Sequence, residues 1–276
     1  MSESLNTLLH LSIKASVEAG KEILNVYDTN FNVQYKEDDT PLTLADQRAS
    51  NKIIELLAST NIPVLSEEGE HFTFEKRQPL QRLFIVDPLD GTKEFVKRNG
   101  EFTVNISLVE NNKPILGVIY SPVFKDLYFA AEGLGSYKID RHTFISLSEK
   151  LAQLSLEEII SYAKKLPLIS KRESYTVVAS RSHLSTEVYS RIEKLKQTHS
   201  NVNIVNTGSS IKMCWVAEGI ADEYPRYGPT MEWDTAAGQA ILENAGCEII
   251  DIETNKPMLY NREKLLNNSF IARNKN

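Results

Sequence analysis

Helices open this chain, antiparallel strands follow, and strands alternating with helices close it. That order gives an α+β to α/β layered sandwich in two parts, about residues 1–140 and 141–276. Three observations carry it. Two amphipathic helical patterns lie within the first 58 residues. Short alternating strands joined by tight turns run from 102 to 131. From 175 onward strand and helix patterns take turns. With 41% hydrophobic and 25% charged residues in 276, the chain has the composition of a soluble globular protein with a sizeable core.

Taken in order, Leu5, Leu8, Leu9, Ile13, Val17, Ile23 and Leu24 recur at helical spacing over 4–27. Residues 31–36 alternate as a short strand, and 36–41 form a polar loop. A second helix covers about 43–58, with Ala45, Ala49, Ile53, Leu56 and Leu57 on its inner face. Pro63-Val64-Leu65 is a strand delivering Glu67-Glu68. Leu83 to Val86 is a buried strand expected to stop at Pro88, which has no N–H to give a ladder. Asp90-Gly91 is a turn dipeptide. Residues 102–109 alternate as a half-buried strand, with Thr103, Asn105 and Ser107 on its polar side. Asn111-Asn112-Lys113 turns the chain into 115–120, and 127–131 extends the meander. A helix is expected over 156–166. Then come strand 175–180, helix 186–197, strand 202–206, helix 209–218, helix 234–245 closed by Gly246, and strand 247–252.

Charge and cysteine usage exclude several classes. A net charge of −6 argues against nucleic acid held on a basic surface. Cys214 and Cys247 are far apart, in apolar contexts, and read as buried thiols. The N-terminus lacks a signal-peptide pattern and no run is apolar enough to span a bilayer, so a cytoplasmic protein is expected.

The chemistry-bearing feature is a set of acids at element ends. Asp87 and Asp90 follow a buried strand, Glu67-Glu68 follows another, Asp234 stands where an N-cap would be, and Asp46 lies early in a helix. Singly these are ordinary: a solvated turn, a loop, a cap, a helix acid. Brought together, Glu67, Asp87, Asp90 and Asp234 repel one another unless cations sit between them, and hard divalent ions suit carboxylate oxygens. Two such ions leave open positions for phosphate oxygens, and Gly91 and Thr92 offer backbone N–H groups.

Glu67-Glu68, Asp87-Pro88-Leu89-Asp90-Gly91-Thr92 and Trp233-Asp234-Thr235-Ala236-Ala237-Gly238 together resemble the signatures of the inositol monophosphatase superfamily. The order and spacing match across nearly the whole chain. The resemblance implies an αβαβα sandwich like that of fructose-1,6-bisphosphatase and a lithium-sensitive, magnesium-dependent phosphomonoesterase using two or three Mg2+. It implies metal ligation by Glu67, Asp87, the Leu89 carbonyl, Asp90 and Asp234. It implies that Thr92, backed by Asp46 and helped by Glu67, activates the attacking water. No phosphoenzyme is implied.

Within the superfamily, Lys93-Glu94-Phe95 and Tyr224 to Thr230 are similar to the bacterial 3'(2'),5'-bisphosphate nucleotidases. So are Ser180-Arg181-Ser182-His183 and Gly208-Ser209-Ser210-Ile211-Lys212. Arg226 stands where the inositol enzymes carry an acid, and a guanidinium suits a second phosphate. The resemblance therefore puts substrate contacts at Glu67, Leu89, Asp90, Gly91, Thr92, His183, Ser209, Lys212, Arg226 and Asp234. Ser209 reads equally as a helix cap, and Lys212 as a solvated first-turn lysine that opposes the helix dipole. The implied substrate is adenosine 3',5'-bisphosphate, with 3'-phosphoadenylyl sulfate as a second, in sulfur assimilation. The alternatives are an inositol or broad sugar phosphatase, and a non-catalytic cation- or nucleotide-binding module. The resemblance leaves a peripheral association with the inner membrane open, although no basic amphipathic stretch here encodes that. Both monomer and homodimer stay open. The segment 136–174 is longer than in compact members, and its helix lies outside every motif.

Overall fold

The structure is a computed structural model. It describes all residues except 1–2, 30–32, 36–40, 70–71, 149, 171, 181–184 and 276, and only the backbone of 33–35 and 41–43. The expected loop at 36–41 and the ends of the strand at 31–36 thus fall largely outside the described residues.

Five layers stack in the order helices, sheet, helices, sheet, helix. The outer layer holds α1 (Leu5–Tyr27) and α2 (Leu44–Leu57), packed side by side. Helix α1 starts at Ser4, whose hydroxyl accepts the Thr7 N–H at 3.2 Å. A small ribbon of β1 (Val33–Tyr35) and β2 (Pro41–Thr43) precedes α2.

The first sheet runs in sequence order through β3 (Val64–Ser66), β4 (Arg82–Asp90), β5 (Thr103–Glu110), β6 (Lys113–Ser121), β7 (Asp126–Ala131), β8 (Gly135–Ile139) and β9 (Lys164–Lys165). Only β3 and β4 pair in parallel. Asn111 and Asn112 both take positive φ, 50° and 66°, as a two-residue hairpin turn requires. Short helices α3 (Phe74–Arg77) and α4 (Thr92–Val96) flank β4. Helices α5 (Arg141–Leu147) and α6 (Leu156–Tyr162) pack Phe144, Leu147, Leu156 and Ile159 into the core shared with α1. These helices and β9 all lie beyond residue 140 yet belong with the first sheet. The second sheet begins only at residue 175.

The second sheet has the order β11-β10-β12-β15-β13-β14. Its strands are β10 (Tyr175–Ser180), β11 (Val202–Thr207), β12 (Glu223–Arg226), β13 (Cys247–Asp251), β14 (Lys256–Pro257) and β15 (Phe270–Asn274). Helix α7 (Thr186–Thr198) covers one face with Val188, Ile192 and Leu195. Between the sheets lie α8 (Ile211–Glu218) and α9 (Glu232–Asn244), in a core that takes side chains from both sheets. Gly117 on β6 admits α9: a Cβ there would stand 2.3 Å from the Ala237 carbonyl oxygen.

Four local expectations are corrected. Strand β4 does not stop at Pro88 but continues to Asp90. Its register to β5 jumps between Asp87/Asn105 and Asp90/Thr103, so Pro88 sits in a bulge where no ladder donor is needed. Strand β5 is buried on both faces, not half-buried, because α9 covers the side opposite α1. Helix α6 ends at Tyr162, and Lys164–Lys165 pairs with β8 instead. Asp234 is the third residue of α9 rather than its N-cap, which is Met231. The cysteines are free and buried as expected.

Candidate active site

Three elements end at one place. Strand β4 and its bulge bring Asp87, Leu89 and Asp90, β3 runs into Glu67, and the first turn of α9 brings Asp234. Carboxylate oxygens of Asp87, Asp90 and Asp234 lie within 4.8 Å of one another. Each acid is held by hydrogen bonds. Asp87 Oδ1 accepts the Leu89 N–H at 3.0 Å, and Asp234 Oδ2 accepts the Met231 N–H at 2.7 Å. Asp90 Oδ2 accepts the Ser210 N–H at 2.5 Å and Asn105 Nδ2 at 3.4 Å. The start of α9 is itself held by Glu232, which accepts the Asn261 N–H at 2.6 Å and the Arg262 N–H at 3.1 Å.

Burial raises all three carboxyls above their ordinary range. Asp87 is pushed well up by desolvation and then by Glu67, Asp90, Asp234 and Asp46. Asp234 rises to about 8, through burial first and Asp90 next. Asp90 is raised by burial, which Lys212 opposes. Clustered acids that resist ionising lack a counter-charge of their own. An all-oxygen donor set around such a deficit fits hard divalent cations.

The cluster opens into a groove of about 350 Å3 lined by Glu67, Asp87, Leu89, Thr92, Asp234 and Leu266. Thr92 Oγ1 donates to the Leu89 carbonyl at 3.4 Å, and Gly91 at φ +97° turns β4 into α4. Asp46 is buried in the first turn of α2, where its charge reaches Asp87. A second cavity of about 140 Å3 adjoins, sharing Asp90, Gly91 and Asp234 with the groove. Its far wall carries Ser209, Lys212, Tyr224 and Arg226.

Lys212 and Arg226 face the acid cluster across the second cavity, and Lys93 lines both spaces. Lys212 Nζ donates to the Ser209 carbonyl, and burial lowers its pKa to about 8. Arg226 donates to the Pro229 carbonyl at 3.0 Å, while its buried Nε has no partner. Ser209 has φ +47° and precedes the N-cap, Ser210, which makes no side-chain cap bond; the Ser209 hydroxyl instead accepts the Ile211 N–H at 3.4 Å, so it serves one donor of the first turn of α8. Among the expected site residues, the structure brings Glu67, Asp87, Leu89, Asp90, Gly91, Thr92, Ser209, Lys212, Arg226 and Asp234 around these two adjoining spaces. His183 lies outside the described residues. Sequence reasoning overlooked Asn105, Ser210 and Tyr224. The polar side of β5 was the available signal for Asn105, since a polar residue on a strand buried on both faces needs partners.

A two-sheet sandwich with an acid cluster at the meeting point of β3, β4 and α9, facing basic side chains, is the build of a phosphate-handling protein. The inositol monophosphatase family model matches residues 4–276, and the chain belongs to that family. It is 43% identical over 256 residues to the 3'(2'),5'-bisphosphate nucleotidase CysQ of Salmonella typhimurium, covering 91% of this chain and 94% of the relative. It is 42% identical over 257 residues to CysQ of Escherichia coli K12, with the same coverage. The crystal structure of CysQ from Bacteroides thetaiotaomicron superposes with a TM-score of 0.88 at 45% identity, covering 99% of this chain and 98% of that one. SuhB from Bartonella henselae, at 24% identity and a TM-score of 0.72 over 98% and 94% of the two chains, shares the fold.

Proposed function

We propose that this chain is a magnesium-dependent 3'(2'),5'-bisphosphate nucleotidase. It removes the 3'-phosphate of adenosine 3',5'-bisphosphate, leaving AMP and phosphate. The observation that carries this reading is the pair of adjoining spaces. Glu67 and Asp87 line one, Lys212 and Arg226 line the other, and Asp90, Asp234, Lys93 and Glu94 line both. A substrate with two anionic groups fits that polarity, and the nucleotidase names of the CysQ relatives agree with it.

Glu67, Asp87, Asp90, Asp234 and the Leu89 carbonyl would hold the Mg2+ ions, two or three in number. Bound there, magnesium supplies counter-charge for the phosphoryl group and makes water more acidic. Thr92, with Asp46 and Glu67, orients the attacking water. Lys212 and Arg226, the latter with a buried Nε to offer, receive the second phosphate. Ser209, Gly91 and His183 complete the substrate contacts. The sulfated relative 3'-phosphoadenylyl sulfate is a second substrate. Nucleotide recycling in sulfur assimilation, on the cytoplasmic side of the membrane, is the setting. Among the described residues no helix is long and apolar enough to cross a membrane.

Phosphate release from adenosine 3',5'-bisphosphate and from an inositol monophosphate, with magnesium and then with lithium, tests the reading. Preference for the inositol ester would overturn it. Asp90→Asn is expected to lose more than about 100-fold in turnover with its circular dichroism unchanged, since even partners of metal ligands typically cost 10–100-fold. Arg226→Glu should lose about 10–100-fold more on bisphosphates than on simple monoesters, the worth of one charge-assisted bond. Equal losses on both would remove the argument for a second phosphate.

A further inference from the structure

Asp90 differs from the other two clustered acids in what holds it. Asp87 and Asp234 each accept an N–H from a residue two or three positions away. Asp90 Oδ2 instead receives Ser210, from the start of α8, and Asn105, from β5. It is therefore gripped from the second sheet's side and from the first sheet at once.

The two donors are tied to each other. Ser210 Oγ lies 2.7 Å from Asn105 Oδ1, which can only accept, so Ser210 spends its one hydroxyl hydrogen there. Thr103 Oγ1 lies 2.8 Å from the same Ser210 Oγ. With the Ser210 hydrogen committed, Thr103 must be the donor in that pair. Asn105, with its oxygen fixed by Ser210, has to turn its amide nitrogen toward Asp90. The polarity is thus set along the line Thr103 to Ser210 to Asn105 to Asp90. All three partners are buried: Thr103 is 0%, Asn105 1% and Ser210 2% exposed. In such surroundings a directed chain of bonds is costly to break and fixes orientation.

We propose that Thr103, Ser210 and Asn105 are positioning residues, a relay that sets the Asp90 carboxylate for cation binding and couples the start of α8 to the acid cluster. The inference rests on the metal-site reading above. Because Lys212 is the second residue of α8 and donates to the Ser209 carbonyl, the same relay ties the anion-binding side chain to the cation-binding one.

The test is thermal unfolding and steady-state kinetics across a magnesium titration of the whole chain. Ser210→Ala keeps the backbone N–H on Asp90 but removes the hydroxyl that orients Asn105, and should raise the half-saturating magnesium concentration for the Tm shift about 10-fold, the lower end of what disturbing a ligand's partner costs. Thr103→Val, which leaves the Ser210 hydroxyl bonded to Asn105, should raise it less but in the same direction. Ser210→Thr, which keeps the hydroxyl, should restore the wild-type value. At saturating magnesium kcat should recover, while KM for substrate stays near wild type. The relay is overturned if Ser210→Ala and Thr103→Val titrate like wild type. It is equally overturned if Thr103→Val lowers the metal-free Tm with its magnesium titration unmoved, since that is a purely structural role. Should Ser210→Ala not fold, Thr103→Val against Ser210→Thr decides. A wild-type protein indifferent to magnesium would sink the metal site itself, and the relay with it.

Discussion

Asp234 shows how a single side chain can be set against the stability of its own fold. Its carboxyl is raised from 3.8 to about 8, chiefly by burial and then by Asp90. The folded state therefore holds a proton that the unfolded chain releases near pH 4. Stability from this group is complete below about pH 4 and is lost as pH rises through about 8. Metal-free protein is expected to show a Tm that falls over that window. Asp234→Asn should flatten the fall while abolishing turnover. Differential scanning calorimetry in chelator at stepped pH checks it, and a flat wild-type profile would contradict the assignment.

At the scale of elements, the join between β7, β8 and α8 is polar within an otherwise apolar layer. Lys138 Nζ donates to both Glu218 oxygens, at 3.0 and 2.9 Å, and Tyr128 donates to Glu218 Oε2 at 2.7 Å. Removing one partner leaves a buried charge uncompensated. Lys138→Met should therefore cost about 3–5 kcal/mol, while Lys138→Met with Glu218→Leu should lie much nearer wild type. Denaturant midpoints of the two variants test the contrast. Elements were legible in the sequence wherever one periodicity dominated, as in α1, α2, α7 and α9. Strands β8, β12 and β15 escaped notice: β12 carries Pro225, β15 carries Arg273, and each is five residues or fewer. Such segments are strands because their neighbours pair with them, which local pattern does not encode.

Over the whole molecule, the acids and the lysine and arginine opposite them could be picked out from sequence, because the resemblance to a known family pointed to them. What holds them could not, since Asn105 and Ser210 meet 105 positions apart and only through tertiary packing. Cations that bind the folded cluster and not the open chain stabilise the whole by mass action. At about 100 times its dissociation constant, magnesium should add about 2.7 kcal/mol, which for a chain of this size raises Tm by about 5 °C. A chelator should reverse the rise, and a Tm that ignores both would argue against the site.

Gly117 lets α9 lie flat on β6, so a helix encoded near the end of the chain forms the second wall of a sheet encoded near its beginning. Neither half is accordingly self-sufficient. Cut near residue 170 and expressed alone, the leading fragment would expose a bare apolar surface and the trailing one a helix with nothing beneath it. Co-expressed fragments should instead reassemble, making this protein suited to a split reporter.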